Sequence, residues 1–166
     1  MSRSVISEPV NSAEASALGY ARRFQELAVY KKARVLAKEV FLATKGFPKE
    51  EAFSLTDQLR RASRSVGAQI SEAWAKRRYP KHFVSKLTDA DGEQQETQHW
   101  LTIAYDCGYL TARETRRLGE LCLEVGRMLG EMMTKAGQFC QSSEVNLHEA
   151  PTEYRVAEDA SALIDH

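Results

Sequence analysis

Glycine and proline are scarce in this chain, with 9 and 4 among 166 residues. Proteins built from many short strands need frequent turns, and turns depend on these two residues. Only three cysteines occur, Cys107, Cys122 and Cys140, and none of them forms a Cys-x-x-Cys pair. The composition therefore disfavours a β-sandwich or barrel, a disulfide framework and a cysteine-rich zinc site, and it favours a reducing compartment.

Long apolar runs are also lacking. No segment approaches the roughly 20 residues that span a bilayer, and the first residues lack the apolar centre of a signal peptide. We therefore expect a soluble cytoplasmic protein with no membrane partner. The hydrophobic fraction of 43% is high enough to form a buried core, which excludes disorder over the whole chain.

Apolar residues recur at helical spacing in four segments. These segments are about residues 24–45, 49–78, 80–107 and 111–136. Because short turns join them, neighbouring helices should run antiparallel. We predict an all-α fold, an antiparallel up-down-up-down four-helix bundle over residues 21–142, with flexible tails at 1–20 and 143–166.

The ends of the predicted helices carry recognisable signals. Gly46 is expected to stop the first helix in a left-handed conformation. Glu50–Glu51 should lie in the first turn of the second helix and Lys76–Arg78 in its last turn, where each charge suits the helix dipole. Thr111 and Glu114 have the spacing of a capping box at the start of the fourth helix.

Catalytic motifs are weak. Glu96 and His99 form one Glu-x-x-His, whereas a di-metal site in a helix bundle needs two of these motifs and two further glutamates. Ser63, Ser65 and Ser71 lack the Gly-x-Ser-x-Gly turn of a nucleophilic serine. We expect no enzyme, no catalytic residues, no metal and no cofactor, and a di-metal oxidase is the minor alternative.

The formal net charge is zero, but the charges are segregated. Residues 21–78 carry 14 Lys and Arg against 6 Asp and Glu, whereas residues 143–166 carry 1 against 6. Repeated cations on a helix face are what phosphate binding requires. The candidate nucleic-acid-binding residues are Lys31, Lys32 and Arg34 of the first helix and Arg60, Arg61, Arg64, Lys76, Arg77 and Arg78 of the second.

A solvated helix face is the alternative interpretation of these cations. Ion pairs such as Glu72 with Lys76, one helical turn apart, would then account for part of the charge. The acidic C-terminal segment adds another possibility, because it is expected to compete with nucleic acid for the basic face. The third helix is acidic, and opposite charges on different helices are expected to steer assembly into an oligomer.

The second segment also resembles a known family. It carries Phe47-Pro48-Lys49-Glu50-Glu51, Leu55, Gln58, Arg60-Arg61-Ala62, Ser65-Val66 and Gln69-Ile70-Ser71-Glu72-Ala73. This pattern is similar to the second helix of bacterial four-helix bundle proteins encoded in intervening sequences of 23S ribosomal RNA genes. Phe24 to Ala33 resembles the family's first helix. The residues that resemble its third helix are Gly92, Glu96, Leu101, Ala104 and Gly108-Tyr109-Leu110.

The resemblance implies a homopentamer with a basic surface that contacts RNA or DNA. A relative of the family, the accessory protein of diversity-generating retroelements, works with a reverse transcriptase. The resemblance therefore also implies an alternative function, that of a protein–protein scaffold or adaptor with a reverse transcriptase as partner.

Overall fold

Residues 21–140 are described by the computed structural model, and the ordered elements within them are helical. The helices are α1 (Ala28–Ala43), α2 (Leu55–Ala75), α3 (Pro80–Asp106), α4 (Ala112–Thr134) and the short α5 (Ala136–Phe139). Single 3-10 turns precede α1, follow it and precede α2. The tails expected at 1–20 and 143–166 lie outside the described residues. None of the helices in residues 21–140 is long and apolar enough to cross a membrane.

The four long helices form a closed ring of neighbours, because α1 packs on α2, α2 on α3, α3 on α4 and α4 on α1. Cross-helix contacts show that neighbours run antiparallel. On α1 and α4, Lys32 pairs with Glu124 and Glu39 pairs with Arg117, so one helix ascends as the other descends. The predicted all-α, up-down-up-down four-helix bundle is confirmed.

Apolar side chains from all four helices meet along the axis of the bundle. The largest fully buried ones include Leu36 of α1, Leu59 of α2, Phe83 of α3 and Leu118 of α4. Burying a side chain of this size stabilises the fold by about 1.5–3 kcal/mol. The periodic stripes that predicted the helices are therefore the surfaces that hold them together.

The first helix is shorter at both ends than the predicted 24–45. Leu27 has an extended backbone and a buried side chain, so it separates the 3-10 turn Phe24–Glu26 from α1. At the other end, the Thr44 hydroxyl donates to the Val40 carbonyl at 2.9 Å, and a 3-10 turn replaces the last helical turn. The expected left-handed stop at Gly46 is wrong, because Gly108 is the only glycine with positive φ in residues 21–140.

The second helix begins at Leu55, six residues later than predicted. Glu50 and Glu51 therefore lie in a 3-10 turn before α2 and not in its first turn. Glu51 still serves the helix start, because its carboxylate accepts hydrogen bonds from the Ser54 hydroxyl and from the Leu55 N–H. These two bonds, with a third from Tyr109, lower the pKa of Glu51. The carboxylate thus satisfies groups that a helix start leaves exposed.

The later helix ends agree better with the sequence. Pro80 occupies the first turn of α3, and the capping box of α4 is present, with the Glu114 N–H donating to Thr111 Oγ1 at 3.2 Å. In contrast, α2 ends at Ala75, so Lys76–Arg78 lie in the turn that follows it and not in its last helical turn.

A polar layer interrupts the apolar core between α3 and α4. Gln94 is 5% exposed, and its amide donates to Asp91 Oδ1 at 3.0 Å and accepts from Gln98 Nε2 at 2.8 Å. A Cβ added at Gly126 of α4 would lie 2.9 Å from the Gln94 nitrogen. Glycine at this position therefore makes the room that the buried glutamine needs.

Candidate nucleic-acid interface

The three arginines of α2 have different roles. Arg60 is half-buried; its Nε donates to Thr44 Oγ1 at 2.8 Å, and its guanidinium lies 4.9 Å from the centre of the Phe41 ring. Arg61 is exposed and forms a loose pair with Asp57 at 3.8 Å. Arg64 is exposed and makes no ion pair with any described residue. Arg60 therefore ties α2 to α1, whereas Arg64 is available to a ligand.

The cations in the turn after α2 also differ in whether they have partners within the protein. The Arg77 guanidinium stacks on the Trp74 ring at 4.3 Å and donates to the Trp74 carbonyl at 2.8 Å. Lys76 and Arg78 are exposed, and neither has an ion-pair partner within residues 21–140. The i,i+4 pair of Glu72 with Lys76 does not form, because Glu72 pairs with Lys86 of α3 at 2.9 Å.

On α1, Lys31 and Arg34 are exposed and Lys32 is not free. The Lys32 ammonium lies 2.9 Å from the Glu124 carboxylate, so it bridges α1 and α4 on the side away from α2. Lys31 and Arg34 make no ion pair in the described part of the chain. Lys32 therefore does not belong to the same face as the other two.

Two contacts fix how α1 lies beside α2. Phe41 meets Arg60, and Tyr30 meets Gly67, where a Cβ would lie 3.6 Å from the tyrosine ring. Arg34 is one turn from Tyr30 towards Phe41, and Arg64 is about one turn from Gly67 towards Arg60. Arg34 and Arg64 are therefore placed at the same level on adjacent helices.

One aromatic feature of this surface was missed at the sequence level. Phe41 is 36% exposed, and its ring lies between Lys45, with Nζ 5.1 Å from the ring centre, and Arg60. A signal existed, because Phe41 and Lys45 are four residues apart and face the same side of a helix. Arg60 comes from another helix, so its part in the cluster required the fold.

The α3 side of α2 has the opposite character. Lys86 pairs with Glu72 and with Asp89, at 2.9 and 3.2 Å, and its Nζ donates to Gln69 Oε1. These carboxylates raise the pKa of Lys86. Burial, followed by the charges of Glu96 and Asp89, raises the pKa of Glu93 on the same edge. Anionic phosphate would be repelled here.

Two of the groups considered for catalysis have hydrogen-bond partners within the protein. Glu96 accepts a hydrogen bond from the Trp100 indole at 3.0 Å, and the Ser63 hydroxyl donates to the Arg60 carbonyl. Burial raises the pKa of Cys122 to about 12, which keeps this thiol protonated. Within residues 21–140, no three His, Cys, Asp or Glu side chains gather as a metal site would require.

Comparisons with known proteins identify a matching family and a similar solved structure. Residues 25–131 match the family described as 23S rRNA-intervening sequence protein. The chain is also similar to a crystal structure of a protein of unknown function from the S23 ribosomal protein family of Bacteroides thetaiotaomicron VPI-5482. That similarity has 25% sequence identity and a TM-score of 0.58, over 64% of this chain and 95% of the other. No curated protein matches this sequence.

Proposed function

Because the chain belongs to the 23S rRNA-intervening sequence protein family, we propose that it is a non-enzymatic bundle that binds RNA. The proposed contact surface is the basic face, which we define as Lys31, Arg34 and Lys38 of α1, Arg64 of α2, and Lys76 and Arg78 of the following turn. The observation that carries the proposal is that all six side chains are exposed and make no ion pair within the described residues. Exposed cations that form no ion pair within the described residues are accessible to the phosphate backbone of RNA.

The spacing along α1 suits a repeated anion. Lys31, Arg34 and Lys38 follow one another at intervals of three and four residues, so they project from neighbouring turns of one side. Seven residues of helix rise about 10 Å, a length over which a nucleic-acid duplex presents several phosphates. Arg64 extends the row across the seam to α2.

Contacts of this kind bind the backbone and carry no sequence information directly. The basic face consists of lysines and arginines and contains none of the amide side chains that pair with adenine. We therefore expect RNA binding that is strongly dependent on salt and weakly dependent on base sequence.

The proposal is tested by comparing two triple variants that remove the same charge. Lys31→Ala, Arg34→Ala and Arg64→Ala remove cations from the basic face, whereas Arg113→Ala, Arg116→Ala and Arg127→Ala remove three exposed arginines from α4. We expect the first variant to bind a fluorescent RNA at least about tenfold more weakly, since it loses three phosphate contacts. The second should bind almost as tightly as the natural chain.

Equal losses in the two variants would mean that net charge alone attracts RNA, and the basic face would then have no special role. Absence of RNA binding by the natural chain at low salt would reject the proposal outright. Circular dichroism of both variants establishes that each retains the helical fold.

Exposed apolar residues favour a second candidate function, contact with another protein. Val35 and Leu42 of α1 are 45% and 46% exposed, and Phe53, in the connection to α2, is 97% exposed. Large exposed apolar groups of this kind mark interaction surfaces when they gather in a patch. We propose that α1 also mediates self-association; the pentamer and the reverse transcriptase partner remain predictions from the family resemblance.

The two candidates share a surface, because Val35 lies one turn from Lys31 and Leu42 one turn from Lys38. Replacing Val35 and Leu42 with Ser should dissociate an oligomer and leave the cations in place. Light scattering of the natural chain that gives a monomer of 18.7 kDa at micromolar concentration would contradict self-association. RNA binding that survives in a dissociated double variant would show that the two functions are separable.

A further inference from the structure

An open cavity of about 870 Å³ lies at the end of the bundle where α1 begins and where α2 and α4 end. Its apolar lining includes Trp74 of α2, Met128 of α4 and Phe139 of α5. Cavities of this volume are typical of sites that bind small molecules.

The polar lining of the cavity is more basic than acidic. Arg22, Arg77 and Lys135 contribute cations, and Glu26 and Glu131 contribute carboxylates. Glu26 is already engaged, because it accepts hydrogen bonds from the Arg22 N–H at 2.7 Å and from Arg23 Nε at 3.4 Å. These bonds, the Arg22 bond foremost, lower the pKa of Glu26.

Further cations are adjacent in the chain to residues that line the cavity. Arg77 is held against Trp74, as described above, and the exposed Lys76 and Arg78 flank it in the chain. Arg23 is also exposed next to the lining residue Arg22. The surface that an occupant would meet is thus an apolar floor with a basic rim.

The chain itself supplies a segment with the matching chemistry. Cys140 lines the cavity, and the sequence continues from it through residues 141–166. That segment carries six carboxylates against one arginine, Arg155, and its apolar residues include Val145, Leu147 and Tyr154. An extended chain spans about 3.3–3.6 Å per residue. Residues 144–154 begin four residues after Cys140, so they are close enough in the chain to reach the cavity.

We propose that the acidic C-terminal segment, residues 141–166, binds in this cavity and over its basic rim, and that it competes there with RNA. The competition rests on the proposed function, because Lys76 and Arg78 of the basic face flank the lining residue Arg77 in the chain. Binding within one chain needs little intrinsic affinity, since a short tether holds the segment at a millimolar effective concentration. The segment therefore regulates access to one end of the basic face.

The first test uses Trp74 as a reporter and needs no RNA. Trp100→Phe leaves Trp74 as the only tryptophan, since the chain has two. In this background, a neutral-tail variant replaces Glu144, Glu149, Glu153 and Glu158 with Gln, and Asp159 and Asp165 with Asn. We expect acrylamide to quench Trp74 about twofold more strongly in the neutral-tail variant, because the apolar cavity loses its cover. High salt should produce the same change in the natural tail.

A matched control tests the other end of the chain as the occupant. Glu8→Gln and Glu14→Gln neutralise the carboxylates of residues 1–20 and should leave Trp74 quenching unchanged. If this variant, and not the neutral-tail variant, exposes Trp74, the N-terminal segment occupies the cavity and the proposal is wrong. Equal quenching in all variants at all salt concentrations would also overturn it.

The second test measures RNA affinity in the same full-length variants. The neutral-tail variant should bind RNA about tenfold more tightly than the natural chain at low salt. If the tail covers Trp74 but RNA affinity does not change, the segment binds without competing and the competition is rejected. If no variant binds RNA, the proposed function fails, whereas the Trp74 measurement still decides where the tail binds.

Discussion

The two sides of α2 use their charges differently. Towards α1, Arg64 and its neighbour Arg34 are exposed with no ion pair in the described part of the chain. Towards α3, Lys86 is held by Glu72 and Asp89, with its Nζ 2.9 and 3.2 Å from their carboxylates. One side presents cations to solvent, and the other pairs its cation within the protein.

A side chain's neighbours, and not its charge, therefore decide whether it is available to a ligand. Arg60 and Arg64 are one turn apart on α2, yet Arg60 bonds Thr44 and stacks on Phe41. A chain with zero formal net charge can therefore carry a strongly basic face, because neutrality of the whole says nothing about pairing on one surface.

The largest effect is expected at the seam farthest from the basic face, where Gly126 meets Gln94. Gly126→Ala should leave the protein about 1–3 kcal/mol less stable than Gly130→Ala, because the added methyl collides with a buried amide that Asp91 and Gln98 hold in place. A Cβ at Gly130 meets nothing within 4 Å. Since both changes gain the same helix propensity, urea unfolding of the pair isolates the collision.

Equal stabilities of the two alanine variants would contradict the polar layer as described. At a temperature where both variants are folded, they should bind RNA with the same affinity. A loss of RNA affinity in Gly126→Ala alone would mean that the α3–α4 seam takes part in RNA binding, which the proposal does not expect.

A smaller effect is expected where α1 meets α2. Arg60→Ala should destabilise the fold by about 1–2 kcal/mol, since it removes a charge-assisted hydrogen bond and a cation–π contact. Arg61→Ala should change the stability by less than about 0.5 kcal/mol, because an exposed ion pair contributes little. Thermal or urea unfolding of the two variants compares neighbouring arginines directly, and indistinguishable stabilities would refute a structural role for Arg60.

The smallest effect is expected on the acidic edge. Burial raises the pKa of Glu93, so the fold favours its protonated form. That favourable contribution is complete below the unfolded pKa and is lost as the pH rises through the folded value. Glu93→Gln, which has no charge to lose, should therefore raise the melting temperature by about 1–2 degrees near neutral pH and leave it unchanged in acid.

Glu120→Gln is the control, because Glu120 is exposed on α4. A gain in melting temperature that is the same for both variants, or that persists in acid, would contradict burial of Glu93 as its cause.

The sequence predicted the bundle because each long helix carries one continuous apolar stripe. The capping box of Thr111 and Glu114 and the position of Pro80 were also readable, since both depend on local spacing alone. The ends of α1 were not, because the break depends on Leu27 turning into the core and on Thr44 bonding the backbone of its own helix. The first is a consequence of packing and the second a local side-chain hydrogen bond, and hydrophobic periodicity contains neither.

The sequence predicted which helices carry the cations of the candidate site, but not which of those cations are free to bind a ligand. Clustered cations identified α1 and α2, whereas the partners of Lys32 and Arg60 depend on which side each helix turns to its neighbours. The end cavity had no sequence signal at all, because Trp74 of α2, Met128 of α4 and Phe139 of α5 come together only in the folded bundle.

The salt dependence of RNA binding tests the basic face most directly. Counterion release makes the logarithm of the affinity fall linearly with the logarithm of salt, by about 0.7–0.9 for each phosphate contact. Lys31→Ala, Arg34→Ala and Arg64→Ala together should reduce this slope by about 2–3, and the triple α4 variant should leave it unchanged. Equal slopes for the natural chain and the basic-face variant would contradict RNA binding by the basic face.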